Sequence, residues 1–266
     1  MNILSAVAVL AGLGGLFGLA LAYASGVFFV KTDAREERIS EVLPGINCGG
    51  CGFAGCGGCA EAIAAGRAAV TACIPGGSET AAKVAGIMGV EAEAQELRVA
   101  FVRCAGGSLG QKYEYTGVKD CLAATLTGSS AGPQLCEQGC LGFGSCAAAC
   151  RFGALRVENG AAVVDADLCT GCGQCVSACP KKLIDMIPYR AAVTAPCSGC
   201  EKGSVTRKRC ASGCIGCGKC EKLCEHGAVR IIGGHPVIDY AKCVGCGECV
   251  GACPRQLLRT TPRFRS

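Results

Sequence analysis

Three runs in the C-terminal half of the chain set cysteine at intervals that suit iron. Cys169-x2-Cys172-x2-Cys175-x3-Cys179-Pro180 is one, and Cys243-x2-Cys246-x2-Cys249-x3-Cys253-Pro254 is another. Cys214-x2-Cys217-x2-Cys220-x3-Cys224 is a third, with Glu225 in place of the proline. Three thiolates close together and a fourth shortly after fit the corner of a [4Fe–4S] cubane, the fourth reaching across to a second cluster. A structural zinc ion draws on two separated pairs instead. A different cysteine pattern, NCGGCGFAGCGGC at 47–59, lies near the N-terminus.

The runs are duplicated. A shift of 74 residues lays Cys136, Cys140, Cys146 and Cys150 on Cys210, Cys214, Cys220 and Cys224, and lays Cys169, Cys172, Cys175 and Cys179 on Cys243, Cys246, Cys249 and Cys253. Two dicluster modules of ferredoxin type follow from this repeat. Within each, GALRVENGAAVVD and GAVRIIGGHPVID alternate around a central glycine and predict a β-hairpin between the motifs. Phe143 falls where the second module has Cys217, so the first module lacks one thiolate there. Cys136, four residues before Cys140, can supply it. The expected ligand sets are Cys136, Cys140, Cys146 and Cys179 with Cys150, Cys169, Cys172 and Cys175 in the first module. In the second they are Cys214, Cys217, Cys220 and Cys253 with Cys224, Cys243, Cys246 and Cys249.

In the N-terminal pattern, Cys48, Cys51 and Cys56 supply three ligands, with Cys59 or Cys73 the fourth. Cys73 is preferred, because Cys59 follows closely on Cys56 at a helix start and reads as a small buried hydrophobe. The glycines let the backbone turn sharply around a bulky group. By counting, Cys104, Cys121, Cys197 and Cys210 form a sixth set with Cys200 spare; the alternatives are free thiols, or Cys136 joining this set instead. Five or six [4Fe–4S] clusters result, six being favoured.

The elements that must position these cysteines are small. The chain has 266 residues, 26 of them cysteine and 41 glycine, and no tryptophan. An ordinary core would be poor, so cluster binding must supply much of the folding energy. Residues 1–30 carry no charge, longer than the about 20 apolar residues that cross a bilayer as a helix. Ala22-Tyr23-Ala24 resembles a cleavage site, but no basic residue precedes the run and it continues beyond. A single N-terminal transmembrane helix is expected, with Gly12, Gly14, Gly15 and Gly18 forming a packing face for membrane partners. Lys31, Arg35 and Arg38 then place the rest in the cytoplasm, where thiols stay reduced. The fold class is α+β. Its expected order is the transmembrane helix at 1–30, a small [4Fe–4S] domain at 31–90, a connecting segment at 91–135, the first dicluster module at 136–190, a linker at 191–209, and the second module with a basic tail at 210–266.

The formal net charge of +5 does not argue for nucleic acid, since each oxidised cluster with its four thiolates carries roughly −2. Arg207, Lys208 and Arg209 beside Cys210 compensate cluster charge, dock an acidic ferredoxin, or form a solvated loop. No G-x-G-x-x-G after a strand and no P-loop occur, and neither histidine sits in a catalytic arrangement, so no nicotinamide site is expected on this chain.

The glycine-rich N-terminal run, LPGINCGGCGFAGC at 43–56, KYEYTGVKDC at 112–121, GCLGFGSC at 139–146 and the two modules together resemble the B subunit of the Rnf-type electron transport complex. The resemblance covers nearly the whole chain. It implies that the first motif binds its cluster through Cys48, Cys51, Cys56 and Cys73. It further implies a relay that exchanges electrons with ferredoxin and passes them to integral membrane, flavin and iron–sulfur subunits of a Na⁺- or H⁺-translocating ferredoxin:NAD⁺ oxidoreductase in a prokaryotic inner membrane. The alternative is a membrane-anchored polyferredoxin that keeps a redox-sensing regulator reduced. Cys59 and Cys200 are additional to the family pattern, and Arg151 and Glu225 replace the usual proline.

Overall fold

A computed structural model describes residues 3–27, 33–93, 96–126 and 132–261, apart from the side chains of 3–6, 8, 9 and 27. Lys31 and the end of the basic tail, 262–266, lie outside them. The charge-free run forms helix α1, Ile3–Val27. The expected transmembrane span is corrected: among the described residues no helix is long and apolar enough to cross a membrane. The single-pass inner-membrane placement drawn from that span is withdrawn with it.

Three helices make the first cluster-bearing unit. Helix α2, Ala34–Val42, starts at Asp33, whose carboxylate accepts the Arg35 N–H at 2.8 Å and satisfies one of the free donors of a helix start. Helix α3, Cys56–Ala64, starts where Asn47 Oδ1 accepts the Cys56 N–H at 2.8 Å. Helix α4, Gly77–Met88, ends at Gly89 in the left-handed conformation that terminates many helices. Ile39, Ile63 and Val84 are fully buried between them.

Each ferredoxin module is a hairpin between two cysteine loops, closed by a second strand pair. In the first, β1 (Arg98–Val102) pairs antiparallel with β4 (Ile184–Pro188), Ala100 opposite Met186. Helix α5 is Cys121–Leu126, helix α6 Ser145–Ala148 and helix α7 Gln174–Ala178. The hairpin joins β2 (Leu155–Glu158) to β3 (Ala161–Val164). Asn159 and Gly160 both have positive φ at its turn, which matches the right-handed twist of the strands. The second module repeats the plan. Strand β5 (Val193–Thr194) pairs with β8 (Arg259–Thr260), and β6 (Val229–Ile232) with β7 (His235–Ile238). Helix α8 is Gly203–Arg209, α9 Lys219–Lys222 and α10 Glu248–Gly251. The hairpins fall where the alternation predicts them. Strands β1 and β5 belong to the modules, although they lie in stretches read as connecting segment and linker.

One backbone device recurs four times. Gly144, Gly173, Gly218 and Gly247 each stand two residues before a motif's last clustered cysteine, with φ of 82°, 76°, 71° and 80°. This left-handed residue turns the loop into the short helix that carries the cysteine inward, and glycine adopts it without steric cost.

Candidate metal centres

The thiols gather in six places. In the N-terminal unit, Cys73 faces Cys56, Cys51 and Cys48 across the end of α3, and burial pushes its thiol up. Cys59 is nearby, but it is only 1% exposed and packs into the helical core. Burial pushes its thiol up to about 12.

In the first module one cavity is lined by Cys150, Cys169, Cys172 and Cys175. Burial pushes Cys175 up to about 12, and the thiols of Cys169 and Cys172 act on it in the same direction. Cys169 Sγ accepts the Ala100 N–H at 3.4 Å, so β1 also lines this site. A second cavity is lined by Cys121, Cys140, Cys146 and Cys179. Burial pushes Cys146 up to about 11, with Cys140, Cys121 and Cys179 beside it. The structure therefore puts Cys121 where Cys136 was expected. The Cys121 N–H donates to Ser145 Oγ at 2.9 Å, and that hydroxyl donates to Asp120 Oδ2 at 2.7 Å, which pins α5 against α6.

The second module repeats the pair. Cys214, Cys217, Cys220 and Cys253 line one cavity, and burial pushes Cys214 up to about 11. Cys249 faces Cys243, Cys246 and Cys224, its thiol raised by burial. The last place is a cavity lined by Cys104, Cys136, Cys197 and Cys210. A hydrogen bond between Cys136 and Cys210 raises the first thiol and lowers the second. Only Cys59 and the exposed Cys200 stand outside these sets of four.

The arrangement fits [4Fe–4S] clusters. In the modules each of three cavities is lined by four thiols. Four thiolates bound to one zinc at about 2.3 Å would converge on a point, whereas these sets of four line cavities. Backbone N–H groups point at the sulfurs, an arrangement that would tune a bound cluster's potential. Leu183 donates to Cys179 Sγ and Leu257 to Cys253 Sγ, each at 3.4 Å, and Ala228 to Cys224 Sγ at 3.3 Å.

Three basic residues near the centres escape a reading that follows cysteine alone. Arg151 donates to the carbonyls of Ile46 and Asn47 at 2.9 and 3.1 Å and so ties the first module to the N-terminal loop. Its only signal in the sequence is that it stands where proline is usual. Lys181 and Arg255 each follow a Cys-Pro pair and clamp a neighbouring turn through its carbonyls. Arg207, Lys208 and Arg209 form the last turn of α8, and Arg209 pairs with Glu201 and, at 3.6 Å, with Glu137.

Fold and centres together define a multi-cluster iron–sulfur protein of the ferredoxin type. Residues 43–75 match a domain described as a putative Fe–S cluster, 162–185 a 4Fe–4S binding domain, and 213–257 a 4Fe–4S dicluster domain. The chain is 42% identical to the B subunit of the Na⁺-translocating ferredoxin:NAD⁺ oxidoreductase complex of Acetobacterium woodii, over 95% of its own length and 76% of that relative's. It is 42% identical to the B subunit of the ion-translocating oxidoreductase complex of Methanosarcina acetivorans, over 96% of its length and 97% of the relative's. It is 40% identical to the B subunit of the proton-translocating ferredoxin:NAD⁺ oxidoreductase complex of Clostridium ljungdahlii, over 85% and 81%. The chain belongs to the family of B subunits of ion-translocating oxidoreductase complexes.

Proposed function

We propose that this chain is the iron–sulfur electron relay of an ion-translocating ferredoxin:NAD⁺ oxidoreductase, taking electrons from ferredoxin and passing them to other subunits of the complex. The names of its relatives support the setting. The cysteine sets support the chemistry, with five held within a single unit: Cys48, Cys51, Cys56 and Cys73; Cys150, Cys169, Cys172 and Cys175; Cys121, Cys140, Cys146 and Cys179; Cys214, Cys217, Cys220 and Cys253; and Cys224, Cys243, Cys246 and Cys249. A sixth centre completes the count. When bound, [4Fe–4S] clusters supply reversible one-electron transfer. The residues around them hold the thiolates and direct N–H groups at sulfur, which tunes the potential.

The observation that carries this reading is that the sites adjoin one another in an unbroken series. Gly50 in the N-terminal loop packs on the backbone of Cys172. Cys175 lies beside Cys146, joining the two sites of the first module. The Cys140 N–H donates to Cys104 Sγ, and the Cys214 N–H to Cys197 Sγ, each at 3.4 Å. Cys220 and Cys249 share one core in the second module. A relay needs this continuity, whereas an isolated cluster carrier does not.

The test mixes the full chain, loaded anaerobically and assayed for iron, with reduced ferredoxin in a stopped-flow instrument. Rapid bleaching of the cluster absorbance is expected. A fully loaded chain that does not bleach would place ferredoxin on another subunit and overturn this role.

A further inference from the structure

We infer that Cys104, Cys136, Cys197 and Cys210 bind one [4Fe–4S] cluster shared between the two ferredoxin modules, two ligands from each, so that loading it fastens the modules together as well as linking their clusters. The inference rests on the iron–sulfur reading above and adds a site that neither module can complete alone.

The site has the symmetry of the duplication. Cys104 follows β1 and Cys197 follows β5, the strands that open the two modules. Cys136 and Cys210 are equivalent under the shift of 74 residues, and both precede the first cysteine of a module motif by four. The contacts repeat as well. Cys104 Sγ accepts from the Cys140 N–H and Cys197 Sγ from the Cys214 N–H, again equivalent positions. Lys181 Nζ donates to the carbonyls of Glu137 and Gly139 at 2.6 and 2.7 Å. The equivalent Arg255 donates to those of Cys210 and Gly213 at 2.9 and 3.2 Å. Each module thus offers the same half-site, a cysteine after its first strand and a cysteine on a turn held by a half-buried cation. The two half-sites face each other across one cavity. The cations also offset the charge that four thiolates would concentrate there.

The surroundings are an interface between modules. The Leu109 N–H donates to the Arg209 carbonyl at 2.9 Å, the Ala211 N–H to the Gly107 carbonyl at 2.8 Å, and Ser212 Oγ to the Gly106 carbonyl at 2.7 Å. Ser198 Oγ donates to the Gln138 carbonyl at 3.2 Å, and Arg209 reaches Glu137. Four ligands to one cluster, two on each side, would close this seam through metal–thiolate bonds. The site also supplies the step between Cys140 and Cys214, which lie in different modules and both touch it.

The test is iron and sulfide stoichiometry of the anaerobic full chain, with hydrogen exchange across the seam. The intact chain is expected to hold about 24 irons, where five clusters would give about 20. Cys104→Ala, from the first module, and Cys210→Ala, from the second, are each expected to lose about four irons. The double variant is expected to lose the same four, because both residues serve one cluster. Exchange at 106–109 and 209–212 should rise in all three variants, while Cys200→Ala changes nothing. An intact chain with about 20 irons overturns the inference even if the variants fail to load. So do single losses that add in the double variant. A chain with about 20 irons that still bleaches with ferredoxin removes the shared site and leaves the relay standing. One with about 24 irons that does not bleach does the reverse.

Discussion

Phe143 stands where the equivalent motif of the second module has Cys217, so one corner of the first module needs a thiolate from elsewhere. The structure brings Cys121 to that corner. Phe143 packs against Tyr115 with ring centroids 5.3 Å apart, and both lie in a small core with Cys121, Ala124 and Leu141. The aromatic side chain stands where the thiol is missing and seats the helix that carries Cys121. We expect Cys121→Ala to lose about four irons from the first module and to keep the cluster of Cys150, Cys169, Cys172 and Cys175. Iron assay with electron paramagnetic resonance of the reduced chain reads this directly. Full iron content would return the ligand role to Cys136. Most of the thiol groupings are legible in the sequence because motif spacing brings those cysteines together. Cys121 and Cys136 are not, because the thiol four residues from Cys140 in the chain is turned to the other module, and the one delivered by α5 is 19 residues away. Chain distance favours Cys136, whereas tertiary packing favours Cys121.

At the scale of elements, the hairpins announce themselves by alternation and a turn with positive φ, whereas β1 and β5 do not. Each is short, and its partner strand lies far along the chain: Arg98 faces Pro188 and Val193 faces Thr260. Nothing local marks such a strand, since its pairing is decided at a distance. The junction between the N-terminal loop and the first module is equally non-local. It depends on a glycine: a Cβ at Gly50 would lie 2.8 Å from the Cys172 carbonyl oxygen and 3.0 Å from its Cβ. Backbone cannot yield as a flexible side chain can. Gly50→Ala should therefore push the loop off the module at a cost of about 1–3 kcal/mol, while all the cysteines stay in their own units. The expected result is unchanged iron content, a lower melting temperature, and weaker magnetic interaction between the reduced N-terminal cluster and its neighbour. An unaltered spectrum and melting temperature would show that the two units do not meet there.

Over the whole molecule, two kinds of core stand side by side. Helices α2 to α4 close on Ile39, Ile63 and Val84 in the ordinary way, and their cluster sits at the edge. The modules have little of this. Buried Cys146 and Cys175 share the first module's core with alanines, Val102, Leu155 and Ile184, and Cys220 and Cys249 do the same in the second. Two short strand pairs and helices of about one turn cannot hold such a core alone. The composition already shows this, in the many cysteines and glycines and the absence of tryptophan. It does not show that the deficit is uneven, because the long aliphatic residues between 34 and 88 come together only once the helices pack. Binding energy in a metal site becomes folding energy where the apo state lacks other support. Anaerobic removal of iron by oxidant and chelator should therefore abolish hydrogen-exchange protection in the hairpins 155–164 and 229–238, while α2–α4 remain protected at neutral pH. Loss of protection everywhere at once would mean that the helical unit also depends on its cluster. Protected hairpins without iron would mean that the small apolar core suffices, and the argument for cluster-held modules would fail.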